Sequence, residues 1–315
     1  MNNYIKDLIT SFYNEDTNAF FDAVMKFAAQ EAKEGNLDSA REIRTILHKL
    51  SQNKKKKMIT VGKDDFITLV QTEHKMADLI VSNKVEVRIN QVIVEYNKRN
   101  ELANYGLSNR KKILLAGHPG TGKTLTASII ANELSLPFYV ISMDSIITKY
   151  MGESSVKLRQ AFEVINENTA VYLFDEFDAI GAERGNSNDV GEMRRILNTF
   201  LQLLEQSDSN SIIIAATNYK RILDLALFRR FHDVIQYELP QKNEIERLLN
   251  QRLGYFTHAN FDFNILIDKC IGLSHSEIVN ACNDSIKHMI INEISNLTIE
   301  IVLNAIKNRW DSYKE

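Results

Sequence analysis

The sequence predicts an α/β protein: a mostly parallel sheet covered by helices, preceded by a small helical bundle and followed by a helical domain. Three observations carry this. Five short apolar runs, "KILLAG", "FYVISM", "AVYLFDE", "SIIIAATN" and "VIQYEL", fall within residues 64–239. Several are continuous rather than alternating, as strands buried on both faces are. Helical periods separate them, the order expected of parallel strands with crossover helices. After Pro240 the strand-like runs stop and apolar residues recur only at helical spacing.

The elements follow in chain order. Residues 1–52 read as two or three helices, beginning with Tyr4 to Phe12. "TNAFFDAVMKFAAQEAKEGN" sets Phe20, Phe21, Val24, Phe27 and Ala28 at helical spacing, with Thr17 as N-cap and Gly35 as stop. "NLDSAREIRTILHKL" repeats the period through Leu37, Ala40, Ile43, Ile46, Leu47 and Leu50. "SQNKKKKM" then breaks it. Residues 53–63 read as a lysine-rich linker, either a solvated spacer or a contact for an acidic or nucleic-acid partner. In the α/β domain, 64–239, "EMRRILNTFLQLLEQ" puts Met193, Ile196, Leu197, Phe200, Leu201 and Leu204 on one helical face. Residues 240–315 form the helical domain, through "NEIERLLNQRL", "HSEIVNACNDSIKHMIINEI" and "TIEIVLNAIKNRW". The prolines mark element edges: Pro119 inside a loop, Pro137 before "FYVISM", Pro240 after "VIQYEL".

Composition narrows the function classes. Lys+Arg 38 against Asp+Glu 41 gives a net charge of -3, so no global field draws nucleic acid or an anionic membrane. Cys270 and Cys282 are too few for a disulfide framework, which suits a reduced, cytoplasmic chain. "MNNYIKDLITSFYNED" lacks the marks of a signal peptide, and no run approaches the ~18 apolar residues of a membrane span.

The chemistry starts at "GHPGTGKT". Gly117, His118, Pro119, Gly120, Thr121, Gly122, Lys123 and Thr124 match G-x-x-x-x-G-K-[ST], after a predicted strand and at the start of a predicted helix continuing through Leu125. Glycines let backbone N–H groups turn inward to cradle phosphates. Lys123 reaches the β- and γ-phosphates, and the Thr124 hydroxyl suits Mg²⁺. "VYLFDEFD" is an apolar strand ending in two acids, Asp175 and Glu176. Side chains alternate along a strand, so one carboxylate can hold the Mg²⁺ shell while Glu176 polarises the attacking water. By itself the pair could equally be two solvated acids. Asn218, ending "IIIAATN", is either a turn residue or an amide aimed at the γ-phosphate and water. Arg229 and Arg230 are either surface charge or cations that reach a neighbouring protomer's γ-phosphate.

Taken in order, "GHPGTGKT", "KYMGES", "YLFDEFDAIG", "AATN", "LDLALFRRF" and "GLSHSEI" resemble the AAA ATPases over roughly residues 60–315. Within that family the pattern is similar to the ESCRT-disassembling and microtubule-severing (katanin-like) sub-group. It looks closest to small prokaryotic AAA ATPases found with subtilisin-like peptidases. The resemblance implies a P-loop NTPase domain with a C-terminal helical lid, ATP and Mg²⁺ as ligands, and a homo-oligomeric ring, usually a hexamer. It makes Arg229 and Arg230 fingers acting in trans. It makes Lys149, Tyr150, Met151 and Gly152 a pore loop that grips polypeptide, where a core-packed aromatic is the alternative. The polar segment Glu183 to Asp189 stands at the place of a second pore loop. His118 occupies a position where the family mostly has proline. His275 and Ser276 replace a Gly-Ala pair near adenine, so His275 either stacks on the base or is an exposed helix-start residue. Similarity sets Leu69 and Val70 on the other side of adenine. The N-terminal helices are similar to an adaptor-binding domain that recruits substrate or partner.

The resulting expectation is a Mg²⁺-ATP-driven ring that remodels proteins by threading them. No Ser/His/Asp triad or H-E-x-x-H is evident, so proteolysis would belong to a partner peptidase. The rival is an ATP-gated oligomeric switch that activates a partner protease or effector without threading. A DNA-handling ATPase fits less well, given the aromatic pore motif and the slightly acidic chain.

Overall fold

The structure is a computed structural model of the 315-residue chain. It describes residues 66–312 apart from 148–151, 181–186, 219–228 and 259–260, and of the first 65 residues only 23, 24, 26–28, 36 and 43. The chain divides into two compact units, Met1–Lys63 and Asp64–Glu315. In the first, residues 23, 24 and 26–28 are helical, and Ala23 and Ala28 are buried. Residue 43 is also helical; apart from these and residue 36, the expected bundle and the linker 53–63 lie outside the described residues.

The second unit is built on a six-stranded sheet. Its strands are β1 (Ile67–Val70), β2 (Lys112–Gly117), β3 (Phe138–Ser142), β4 (Val171–Asp175), β5 (Ile212–Thr217) and β6 (Asp233–Tyr237). Their order across the sheet is β1-β3-β4-β5-β2-β6. Strands β2 to β6 pair in parallel, while β1 runs antiparallel to β3 at one edge. Five of the six coincide with the five apolar runs. The central four are near-continuous apolar runs because both their faces are covered, while β6, at the edge, exposes Gln236.

The two faces alternate residue by residue. Ile113, Leu115, Leu173 and Ile214 share a core with Val85, Ile89, Val92 and Tyr96 of α1 (Asn83–Asn97) and with Ala127, Ile129, Ile130 and Ala131 of α3 (Lys123–Glu133). The short α2 (Arg99–Asn104) follows α1. Arg88 of α1 and Arg110 both pair with the buried Asp233 at the start of β6, holding α1 to the sheet edge. On the opposite face, Phe174 of β4 packs against Phe162 of α5 (Glu153–Glu167) and Phe200 of α6 (Ser187–Gln206), with ring centroids 5.7 and 5.0 Å away. A four-residue helix, α4 (Met143–Ile146), lies between β3 and α5.

After β6 the described chain is helical: α7 (Lys242–Leu253), α8 (Asn264–Cys270), α9 (His275–Ile291) and α10 (Ile299–Asp311). Here a separate core gathers Leu249, Leu266, Cys270, Ile278, Cys282, Val302 and Ile306. Local chemistry sets the helix starts: Ser274 Oγ accepts from Glu277 N, and Thr298 Oγ1 accepts from Ile301 N. Helix α8 carried no separate periodic signal, since seven residues are too few to show one. No described helix is long and apolar enough to cross a membrane.

Candidate active site

Strand order assembles the site. β5 lies between β2 and β4, and Leu114, Ala215 and Phe174 stand in one register row. The carboxyl ends of the three strands are therefore nearly flush. Two or three residues beyond that row come Gly117, Glu176 and Asn218. Ligands of open parallel sheets bind outside these carboxyl ends.

The phosphate loop joins β2 to α3. At Gly117 a Cβ would collide with the Tyr237 carbonyl on the adjacent β6. Gly120 has φ +71°, and a Cβ there would lie 2.7 Å from Ser274 Oγ and 2.9 Å from Ser276 Cβ. This loop can thus touch the helical domain only where it has no side chain. The contact is direct: Ser276 N donates to Gly120 O at 2.9 Å. The His118 side chain points to solvent, while its carbonyl accepts from Thr121 Oγ1 at 2.7 Å.

Lys123 Nζ donates to Gly117 O, His118 O and Asn218 Oδ1, each at 2.8 Å. Burial lowers its pKa to about 8, against the pull of the Asp175 and Asp178 carboxylates. Thr124 Oγ1 donates to Asp175 Oδ2 at 2.9 Å, and Asp175 Oδ1 accepts from Glu176 N at 2.9 Å. Two hard oxygens side by side, a hydroxyl and a carboxylate, are the donor set Mg²⁺ takes, so the residues present fit that ion. Glu176 has a left-handed backbone, φ +54°, which turns its side chain away from the strand direction of Asp175. A hydrogen bond with Asp144 of α4 holds the Glu176 carboxyl above its ordinary pKa, and the Asp144 charge adds to the effect. The pairing of Ser142 with Asp175 across β3 and β4 brings these two acids together. Asn218 N donates to Asp178 Oδ1 at 3.0 Å, which fixes the turn after β5.

These residues open into a cleft of about 510 Å³ between the sheet and the helical domain. Its lining runs from Pro119–Leu125, Asp175, Glu176 and Asn218 to Leu248, Arg252, His275, Ser276 and Val279, closed by Asp78, Leu79 and Ile80. Leu79 is anchored in the sheet core and its neighbour Ile80 in the helical core. One short segment therefore pins both walls.

The sequence expectation for adenine is corrected at one point. Leu69 and Val70 lie on β1, with β3, β4 and β5 between them and the phosphate-loop strand, and neither lines the cleft. Their side chains are exposed on an edge strand. The cleft is instead closed on that side by Asp78, Leu79 and Ile80, which sequence reasoning missed along with Leu248, Arg252 and Val279. Only the tertiary fold brings these together, since neither "MADLI" nor "RLLNQRL" carries a local phosphate-type pattern.

Arg229 and Arg230 sit in the turn before β6. Arg229 is exposed, and Arg230 Nη1 pairs with Glu205 Oε2 at 2.7 Å. Neither is among the described residues lining their own chain's cleft. Gly152 caps α5 with φ +89°. Lys149, Tyr150 and Met151, like residues 183–186 of the second loop, lie outside the described residues.

A phosphate-cradling loop, a lysine, a hydroxyl–carboxylate pair, a second acid and a polar strand end, gathered at the carboxyl ends of a parallel sheet, define a P-loop nucleotide hydrolase. A family model described as "ATPase family associated with various cellular activities (AAA)" matches residues 113–239. The chain is 33% identical over 297 residues, 91% of its length and 88% of the relative's, to "Uncharacterized AAA family ATPase y4kL" of Sinorhizobium fredii. It is 38% identical to the proteasome-activating nucleotidase of Sulfurisphaera tokodaii, over 57% of this chain and 48% of that one. It is 33% identical to the ATP-dependent zinc metalloprotease FtsH of Mycoplasmopsis synoviae, over 69% of this chain but 34% of that one. The chain belongs to the AAA ATPase family, and its enzymatic activity is ATP hydrolysis.

Proposed function

We propose that this protein is a Mg²⁺-ATP-dependent ring ATPase that remodels or unfolds proteins by threading them through a central pore. The observation that carries the reading is a cleft complete except for one charge. Lys123 and the loop amides meet the phosphates; Thr124 and Asp175 would hold Mg²⁺, which when bound neutralises the β- and γ-oxygens. Glu176 orients water, and its hydrogen bond with Asp144 must give way for the carboxylate to accept a proton. Asn218, hydrogen-bonded to Lys123, aligns the γ-phosphate and water. Arg229 and Arg230 line no part of their own cleft, which favours their use on a neighbour's.

Related proteins named for proteasome activation and ATP-dependent proteolysis support a polypeptide as substrate. In this reading the copies form a homohexameric ring in the cytoplasm and residues 149–152 line its pore. The organisation is a docking bundle, 1–52, a linker, 53–63, an ATPase domain, 64–239, and a lid, 240–315. The kinship is with the ESCRT-disassembling and katanin-like ATPases, and a subtilisin-like peptidase is the proposed partner.

The test is a mixing experiment. Arg229→Ala or Arg230→Ala should cut ATP turnover by ~10³–10⁵, the range of arginine fingers. Glu176→Gln should bind ATP and barely hydrolyse it. Mixed rings of Glu176→Gln with either arginine variant should regain turnover, because some interfaces combine an intact Glu176 with a neighbour's intact arginine. Verified mixed rings with no recovery would rule out action in trans.

A further inference from the structure

We infer that the outward face of α1 is the seat for the helical domain of a second copy, whose tip at Tyr255, Ile290 and Ile291 docks there in a head-to-tail contact between chains. The inference rests on the proposed ring and adds which two surfaces join in it.

Helix α1 is apolar on two opposite sides. Val85, Ile89, Val92 and Tyr96 form the stripe buried on the sheet. Val87 and Val94 lie about half a turn away, at ~100° per residue, and are 55% and 53% exposed. One covered stripe is enough for a surface helix, so an apolar pair on its solvent side calls for a second cover. The outward stripe reads Lys84, Val87, Gln91, Val94 and Lys98, a helical period with an apolar middle and basic ends. The exposed Tyr105 and Leu107 stand in the turn that Arg110 N, donating to Glu95 Oε2 at 2.9 Å, ties to the C-terminal half of α1.

This face lies on the sheet edge that carries the arginines. Edge strand β6 pairs with β2 alone, and Arg88 fastens α1 to Asp233 at its start. Arg229 and Arg230 precede that aspartate by a few residues. A copy that sends either arginine into a neighbour's cleft therefore brings α1 toward that neighbour. The far wall of the cleft is the helical domain, where α9 runs from His275 in the cleft to Ile291, ~24 Å at 1.5 Å per residue. At that end Ile290 and Ile291 lie off the buried stripe of α9 and are 62% and 77% exposed. Leu297 N donates to Phe256 O there, beside Tyr255, which is 96% exposed. The next charge along the chain is the exposed Glu293. Among the described residues neither it nor Lys84 enters an ion pair, whereas Lys98 is paired with Glu101. An apolar tip flanked by an acid thus complements an apolar stripe flanked by lysine. Because the two surfaces differ, the contact is heterologous: each copy offers one surface to each neighbour, and repetition closes a ring.

The test uses full chains with Mg²⁺ and a non-hydrolysable ATP analogue, and reads mass by sedimentation velocity. Val94→Glu and Ile291→Glu change exposed residues, so each chain should fold. Each should raise the concentration needed for assembly by at least about tenfold, since a charge would be buried unpaired. Mixed, the two should form one-to-one pairs and nothing larger, because the intact tip of the Val94→Glu copy seats on the intact α1 of the Ile291→Glu copy. With ATP in place of the analogue, the mixture should regain turnover that neither variant shows alone at the same concentration. Variants that assemble as the wild type does, or that fail to pair when mixed, overturn this inference alone. Pairs that form without turnover support the contact and count against the arginines acting in trans. A wild type that stays monomeric overturns the ring and this contact together.

Discussion

Lys123 is bonded to three oxygens of its own chain, and two of them belong to the loop that should hold phosphate. Nucleotide must therefore exchange those acceptors for phosphate oxygens, and the proton balance of that exchange is measurable. Burial holds the Lys123 pKa at about 8, so above that pH the ammonium is largely deprotonated before binding. A polyphosphate beside it favours the charged form and raises the pKa again. Binding should then take up protons between about pH 8 and the ordinary lysine range near ~10.4. Calorimetry at about pH 8.5 in two buffers of different ionisation enthalpy reads this directly. Uptake that is absent in the wild type, or unchanged in Lys123→Met, would contradict the assignment. At this scale the phosphate loop, Asp175, Glu176 and Asn218 were legible because each follows or precedes a recognisable strand. Arg252 and Asp78 were not, because one sits in the last turn of a helix and the other in a short 3₁₀ turn, and nothing local marks either as facing a ligand.

At the scale of elements, the second face of the sheet depends on one aromatic cluster. Phe200 of α6 is fully buried, with its ring 5.6, 5.0 and 4.7 Å from those of Phe162, Phe174 and Phe177. Phe174 and Phe177 flank Asp175 and Glu176, so this packing also supports the acids from behind. Phe200→Ala should destabilise the α/β domain by about 3–5 kcal/mol, and Phe200→Leu by less, through loss of buried surface and the cavity left. Denaturant midpoints at constant m-value would check it; an alanine variant within about 0.5 kcal/mol of wild type would show that the cluster does not hold the sheet. The same face was readable in advance because Phe200 shares a helical stripe with Ile196 and Leu204. The four central strands were readable because burial on both sides makes them near-continuous apolar runs, and edge strand β6 because its apolar residues remain largely buried. β1 was not: only Ile67 of its four residues is buried, and an edge strand with three exposed positions has no strict pattern. Leu69 and Val70 are set beside adenine by similarity alone, and the sheet order that removes them from the cleft cannot be read from a four-residue edge strand.

At the scale of the whole molecule, the account needs a ring that turns ATP hydrolysis into movement of a polypeptide. Glu176 is bonded to an element that precedes, by a few residues in sequence, the segment proposed to do the gripping. Glu176 hydrogen-bonds Asp144, and α4 leads directly toward residues 149–152. Any change in the Glu176 carboxyl as ATP is bound and cleaved is thus felt a few residues before Tyr150. An aromatic ring suits the grip because it can wedge between side chains of many kinds. The central claim is tested most directly by measuring ATPase and the unfolding of a tagged substrate side by side, on wild type, Tyr150→Ala and Tyr150→Phe. The account predicts basal ATPase within a few-fold in all three, and unfolding by Tyr150→Ala reduced at least about tenfold, ~1.4 kcal/mol of effective grip. Tyr150→Phe should keep most of the unfolding activity, because the ring and not the hydroxyl does the gripping. Unfolding by Tyr150→Ala at the wild-type rate would contradict threading through this loop and leave the ATP-gated switch as the better description.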